Sequence, residues 1–145
     1  MKNYKDLQIL IAEDDDGHAE LIKAGLKESG VCNPIVRFKN GIEAWNFLNG
    51  TSKIENRDPD KSYLLLLDIN MPLMDGIELL QKIKSIADLK EIPVIMLTTT
   101  DDPHEIETCY NYGCNLYVTK PVQFDKFAEV LNRLGLFIQI VKVIN

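Results

Sequence analysis

The run Tyr63 to Leu67, YLLLL, is apolar at every position, and that feature limits what the chain can become. A strand with one wet face alternates apolar and polar residues, whereas a strand buried on both faces reads as a continuous apolar run. Such a strand needs neighbours along both edges and helices above and below it. The rest of the chain offers them. Short apolar runs recur at Leu7 to Ala12 (LQILIA), Pro34 to Phe38 (PIVRF), Pro93 to Leu97 (PVIML) and Leu116 to Val118. Between them lie segments of helical period. Ala19, Ile22 and Leu26 share one face, with Gly30 as the stop, and Asn40 and Gly41 open a helix carrying Ile42, Trp45 and Leu48. Gly76 to Ile86 is amphipathic through Ile77, Leu80, Ile83 and Ile86; Pro103 opens a helix through Cys109 and Tyr110 that Gly113 ends; Phe124 to Leu134 is the last clear helix. Five strands alternating with five helices predict a doubly wound parallel sheet of the α/β class, covered on both faces. The polar stretch Thr51 to Ser62, with Pro59 and no apolar period, reads as a loop insertion within one domain.

Length and charge narrow the function. A chain of 145 residues suits a single domain, and 46% apolar residues suffice for a full core. The net charge of −6, with no basic run, argues against a nucleic-acid surface. The start, MKNYKDLQILIAEDDD, turns acidic too soon for a signal peptide. No segment approaches the roughly 20 apolar residues that span a bilayer. Cys32, Cys109 and Cys114 lack metal-type spacing and read as reduced thiols, small core residues of a cytoplasmic protein. His18 and His104 have no second His or Cys at ligand spacing, so surface or cap roles are expected of them.

Open parallel sheets gather their functional groups beyond the carboxyl ends of the strands. In this chain those positions hold Glu13, Asp14, Asp68, Thr98 and Lys120. Three carboxylates at one sheet edge repel one another unless a cation neutralises them, and a hard divalent ion with oxygen ligands is the natural partner. Mg²⁺ suits a site with few carboxylates, since it keeps waters and also takes a phosphate oxygen. Asp14 and Asp68 are the best direct ligands; Glu13 acts directly or through water, and the backbone carbonyl of Asn70 completes the protein's share. Asp15 or Asp16 is expected to cap the following helix, and the two are otherwise expected to be solvated. A carboxylate at Asp68 can attack a phosphoryl group to form an acyl phosphate, with positive charge and donors supplied by the metal, Lys120, Thr98 and backbone N–H groups. The plainer alternatives are a solvated loop lysine at Lys120 and a helix cap at Thr98.

AEDDD after a strand, LLLLDINMPLMDG, PVIMLTTT and YVTKP together resemble the receiver domains of two-component response regulators, over about residues 7 to 134. The resemblance implies a flavodoxin-like fold and phosphorylation of Asp68 by a partner histidine kinase or phosphotransfer protein. It implies Mg²⁺ at Glu13, Asp14, Asp68 and the Asn70 carbonyl, phosphate contacts from Thr98 and Lys120, and a switch formed by Thr98 and Tyr117. Met71-Pro72 and Asp75-Gly76 match the family's loop and helix start after the acceptor. The output surface is expected on the fourth helix, fifth strand and fifth helix. After Leu134 comes an apolar extension, GLFIQIVKVIN (135–145), which either prolongs the last helix or folds back as a strand. Its side chains need cover, and a homodimer through that surface and the extension is one way to supply it. No output domain is expected after it, and the chain reads as a stand-alone regulator. The insertion and the tail also resemble the small stand-alone regulators found with bacterial phytochromes.

Two rivals use similar parts. Phosphatases resembling haloacid dehalogenases also phosphorylate an Asp after a strand, but their acid–base carboxylate stands two residues on, where this chain has Asn70. A pseudo-receiver that never takes phosphate would not need an intact acid pair, Asp, Thr and Lys. Asn70 and Thr100 flank the site and are expected to tune the access of hydrolytic water.

Overall fold

The structure is a computed structural model that describes residues 7–140. Its elements run β1 (Leu7–Ala12), α1 (Asp16–Glu28), β2 (Ile35–Phe38), α2 (Gly41–Asn49), β3 (Ser62–Leu67), α3 (Gly76–Ser85), β4 (Val94–Thr98), α4 (Pro103–Asn111), β5 (Leu116–Thr119) and α5 (Phe124–Ile140). The strands form one sheet in the order β2-β1-β3-β4-β5, and every pairing is parallel. This is the doubly wound α/β sheet that the alternation predicts, in the flavodoxin-like form that the resemblance implies.

β3 is buried at all six positions, as its composition demands. Its side chains still obey the period of two that the pleat imposes. Tyr63, Leu65 and Leu67 join a core beneath α2, α3 and α4, with Phe47, Leu48, Leu79, Leu80, Ile83 and Cys109. Leu64 and Leu66 join the opposite core, with Ile22 and Leu26 of α1 and Phe127, Leu131, Leu134 and Ile138 of α5.

Element ends follow local chemistry. Asp15, Asn40, Asp75 and Asp102 each cap a helix by accepting a backbone N–H from its first turn. Gly30 and Gly113 take left-handed backbone just past α1 and α4, where a side chain would be strained.

Several expectations need correction. Ile86 is not on the core face of α3; it is the extended C-cap residue and stands 37% exposed. Ser62 belongs to β3 rather than to the insertion, because it pairs with Leu7. Pro34 and Pro93 lie just outside their strands, although their carbonyls accept from Ile9 and Leu65. Cys32 is exposed and is not a core residue, whereas Cys109 and Cys114 are buried. Of the two courses expected for the extension, the described part takes the helical one: α5 runs through a buried Gly135 to Ile140. Residues 141–145 lie outside the described part of the chain.

Candidate functional site

The winding of the sheet reverses between β1 and β3, and loops leaving a sheet at such a point diverge to leave a crevice. Glu13 and Asp14 follow β1, and Asp68 follows β3. One carboxylate oxygen from each of these residues lies within 4.8 Å of the others. Glu13 and Asp68 are buried, at 1% and 7% exposure, while Asp14 faces solvent.

The Asp68 backbone is fixed from both sides. Its N–H donates to the Ala12 carbonyl at 3.1 Å, which ties Asp68 to the acid pair across the β1–β3 boundary. Its carbonyl meets the bare Cα of Gly76, where a Cβ would stand 2.1 Å from the oxygen. The glycine that opens α3 therefore allows the helix start to press against the Asp68 backbone. On the side chain, Oδ1 accepts the Asn70 N–H at 3.4 Å and Oδ2 accepts from Lys120 Nζ at 3.2 Å.

Lys120 reaches this point because β5 ends at Thr119 and the Lys120 N–H donates to the Thr98 carbonyl at 2.7 Å. Its side chain is 1% exposed, so the solvated-lysine alternative does not hold. The ammonium also donates to Glu13 Oε1 and lies 3.2 Å from His18 Nδ1. Burial pushes the Glu13 carboxyl up to about 7, against the downward pull of the Lys120 hydrogen bond. Thr98 is not a cap: it ends β4, fully buried, and its hydroxyl has no hydrogen-bond partner among the described residues.

Three convergent carboxylates, of which two are buried, are the hard-oxygen donor set that a small divalent cation takes. At the same sheet edge, the unsatisfied buried Thr98 hydroxyl at the end of β4 is a donor available to an oxygen ligand. Outside the crevice, Asp14, Asn70, Met71 and Pro72 help to line a hollow of about 560 Å³ that gives access from solvent.

Asn70 sends its side-chain amide to Thr100 Oγ1 at 3.3 Å. Tyr117 is half-buried, and its hydroxyl donates to the Thr100 carbonyl at 2.6 Å. Its own N–H donates to the Tyr110 hydroxyl of α4 at 3.0 Å. Burial raises the Tyr117 phenol above its ordinary range, so it remains a donor.

At this edge Arg37 escaped the sequence reading, and His18 is not the plain surface or cap residue that was expected. His18 touches Lys120 and sets its ring edge-on to Phe127, with centroids 5.8 Å apart. Its position one turn into α1 was the available signal. Arg37 donates through Nε to the Glu13 carbonyl at 2.9 Å and through Nη1 to Asp16 Oδ1 at 2.8 Å. A charged residue within the strand PIVRF was the signal there. His104 is exposed and lies at the start of α4, in agreement with a surface role.

Residues 9–132 match the response regulator receiver domain. The chain belongs to that family. Response regulator Rcp1 of Synechocystis is 36% identical over 112 residues, covering 77% of this receiver and 75% of Rcp1. The Mn²⁺-bound form of response regulator Rcp1 superimposes with a TM-score of 0.86 at 28% identity, over 95% of this chain and 99% of that one. A receiver domain from Rhodospirillum rubrum superimposes with a TM-score of 0.87 at 41% identity, covering 94% and 96% of the two chains. The phosphorylated cyanobacterial phytochrome response regulator RcpA does so at 0.79 and 30% identity, over 90% and 92%. The likeness to phytochrome-associated regulators thus extends over most of the chain. Among the described residues, no helix is long and apolar enough to cross a membrane.

Proposed function

We propose that this receiver accepts a phosphoryl group on Asp68 from a histidine kinase or phosphotransfer protein, in a Mg²⁺-dependent reaction, and thereby switches a protein-interaction surface. One observation carries the reading. A nearly buried carboxylate stands among two further acids, a buried ammonium and an unsatisfied buried hydroxyl, all at the carboxyl edge of one sheet.

An Asp68 oxygen attacks the phosphorus of a phosphohistidine. The new P–O bond forms as the P–N bond breaks, and the electron pair returns to the imidazole nitrogen, which takes up a proton. Glu13, Asp14, Asp68 and the Asn70 carbonyl would hold Mg²⁺, which supplies positive charge to the phosphoryl oxygens. Lys120 already lies against Asp68 and serves as a second positive centre for the same oxygens. Thr98 offers its unsatisfied hydroxyl, and the Asn70 N–H faces Oδ1. Asn70 cannot shuttle a proton, which favours a signalling switch over a phosphatase. The chain acts on itself and not on a separate substrate.

Thr98 drawn toward the phosphoryl group carries with it the loop that holds the Thr100 carbonyl, and Tyr117 is bonded to that carbonyl. That linkage makes Thr98 and Tyr117 the switch and places the output on α4, β5 and α5. Residues 7–134 form the receiver core in this reading, and the rest of α5 extends it. Leu136, Phe137 and Ile140 on that extension and Tyr110 and Tyr112 near the end of α4 are exposed, which supports a homodimer through this side. Cysteines without disulfides fit a cytoplasmic setting.

Incubation with acetyl phosphate and Mg²⁺ should add one phosphoryl group by intact mass, and chelation of the metal should prevent it. A wild-type chain that gains nothing, or an Asp68→Ala variant that gains as much, would sink the reading. For the dimer, light scattering after size exclusion should show a larger species that loses mass when residues 136–145 are removed. A monomer in both cases removes that part.

A further inference from the structure

We infer that Arg37 is a positioning residue for the metal site, a guanidinium clamp that holds the acid loop after β1 in the geometry a divalent cation requires. The inference rests on the reading of Glu13, Asp14 and Asp68 as metal ligands. Arg37 lies in β2, in register with Ile11, two residues before the acid pair begins. Its side chain is only 12% exposed and spans the loop: Nε holds the Glu13 carbonyl at 2.9 Å, and Nη1 holds Asp16 at 2.8 Å. Next to it in the strand, the Phe38 carbonyl accepts the Glu13 N–H at 3.0 Å. Glu13 thus has both of its backbone polar groups fixed by β2, and Asp14 is strung between the two ends of the Arg37 fork.

The placement is costly for a surface role. Nη2 is enclosed and finds no partner among the described residues, and a buried donor left unsatisfied is normally avoided. A lone ion pair with Asp16, whose side chain is 78% exposed, would contribute little by itself. The Arg37 contact does hold the Asp16 carboxyl below its ordinary range. What the arrangement adds is order in a loop whose four consecutive acids repel one another. Mg²⁺ demands near-ideal octahedral geometry, so a loop already ordered before the ion arrives binds it more tightly. Partners that orient metal ligands without touching the ion commonly change its affinity by about 10- to 100-fold. A clamp on the backbone of a ligand residue, one step further away, is expected to act at the lower end.

Electrostatics alone predicts the opposite sign, which makes the test decisive. Removing a positive charge beside a cation site should tighten cation binding. Removing a clamp should loosen it. The experiment is calorimetric titration of Mg²⁺, and separately of Mn²⁺, into the full chain without any phosphodonor. It compares wild type, Arg37→Gln and Arg37→Lys, with Ile83→Val as a mild core lesion far from the acids. Amide hydrogen exchange at residues 13–16 of the metal-free protein is followed in the same set. We expect both Arg37 variants to bind each metal roughly 3- to 10-fold more weakly. Exchange at residues 13–16 should be faster in them, and Ile83→Val should match wild type in both measurements. Unchanged or tighter metal binding by Arg37→Gln overturns the clamp. Should that variant not fold, Arg37→Lys decides alone, since it keeps the charge and loses the fork: unchanged affinity overturns the clamp and weaker binding supports it. A wild type that binds neither metal removes the metal-site reading and the inference with it, whatever the exchange data show. Equal exchange in wild type and both variants removes the clamp while leaving the metal site intact.

Discussion

At Thr98 the folded receiver carries a buried hydroxyl with nothing to bond. A donor in that position costs about 1–3 kcal/mol relative to a satisfied one. Valine has the same shape without the hydroxyl, so Thr98→Val should raise the stability of the metal-free, unphosphorylated protein by ~1 kcal/mol. The same substitution should slow phosphorylation by acetyl phosphate. A urea midpoint and an intact-mass time course measure the two effects; a loss of stability with an unchanged rate would remove Thr98 from the site. Lys120 follows a different logic, because its ammonium is buried among groups that need it. Truncating it leaves Glu13 and Asp68 enclosed without their cation, whereas Thr98→Val leaves no group stranded. Both residues were legible in the sequence from one fact, that each follows an apolar run. Arg37 and His18 were not, because their roles depend on partners 24 and 102 positions away.

Among the elements, the start of α3 is tightly constrained by the backbone beside it. A Cβ on Gly76 would lie 2.1 Å from the Asp68 carbonyl oxygen and 2.8 Å from the Ile69 Cα, and backbone atoms there cannot swing aside. Gly76→Ala should therefore cost at least ~2 kcal/mol despite alanine's better helix propensity, since overpacking outweighs it. Thermal or urea unfolding checks the loss. Because the displaced backbone is that of Asp68, the proposed acceptor, phosphorylation should fall as well. A variant with wild-type stability and rate would show that the loop relaxes freely. The helix ends were readable from Asp15, Asn40, Pro103 and the glycines at 30 and 113, since capping is decided within a few residues. Ile86 misled because period alone does not say where a helix stops. The sequence leaves the extension open between helix and strand; Gly135 lies inside α5, where a Cβ would meet the hydroxyl of Ser29, the cap residue of α1, at 1.7 Å, and that packing is not a local signal.

For the whole molecule, the two faces of the sheet are distinct cores, and the thiols report on one of them. Cys109 and Cys114 lie in the core under α2, α3 and α4, while Cys32 is exposed. Burial, helped by the neighbouring Cys114, pushes the Cys109 thiol up to about 11, and burial raises Cys114 as well. A raised thiol value lowers the reactive thiolate fraction, to about a thousandth for Cys109 near pH 8. Iodoacetamide at that pH should label Cys32 alone in the folded protein and all three cysteines in denaturant, as peptide mapping would show. Rapid labelling of Cys109 under native conditions would mean that this face opens. The sequence by itself determined the class of fold, the central strand and the residues beyond the strand ends, because period and composition follow from local geometry and solvent exposure. Only the tertiary structure decided that Lys120 lies against Asp68, that the Thr98 hydroxyl has no partner, that Tyr117 is bonded to the Thr100 carbonyl and that Arg37 grips the acid loop. Those are distances between side chains far apart in the chain, fixed by sheet order and register, and no local pattern encodes them.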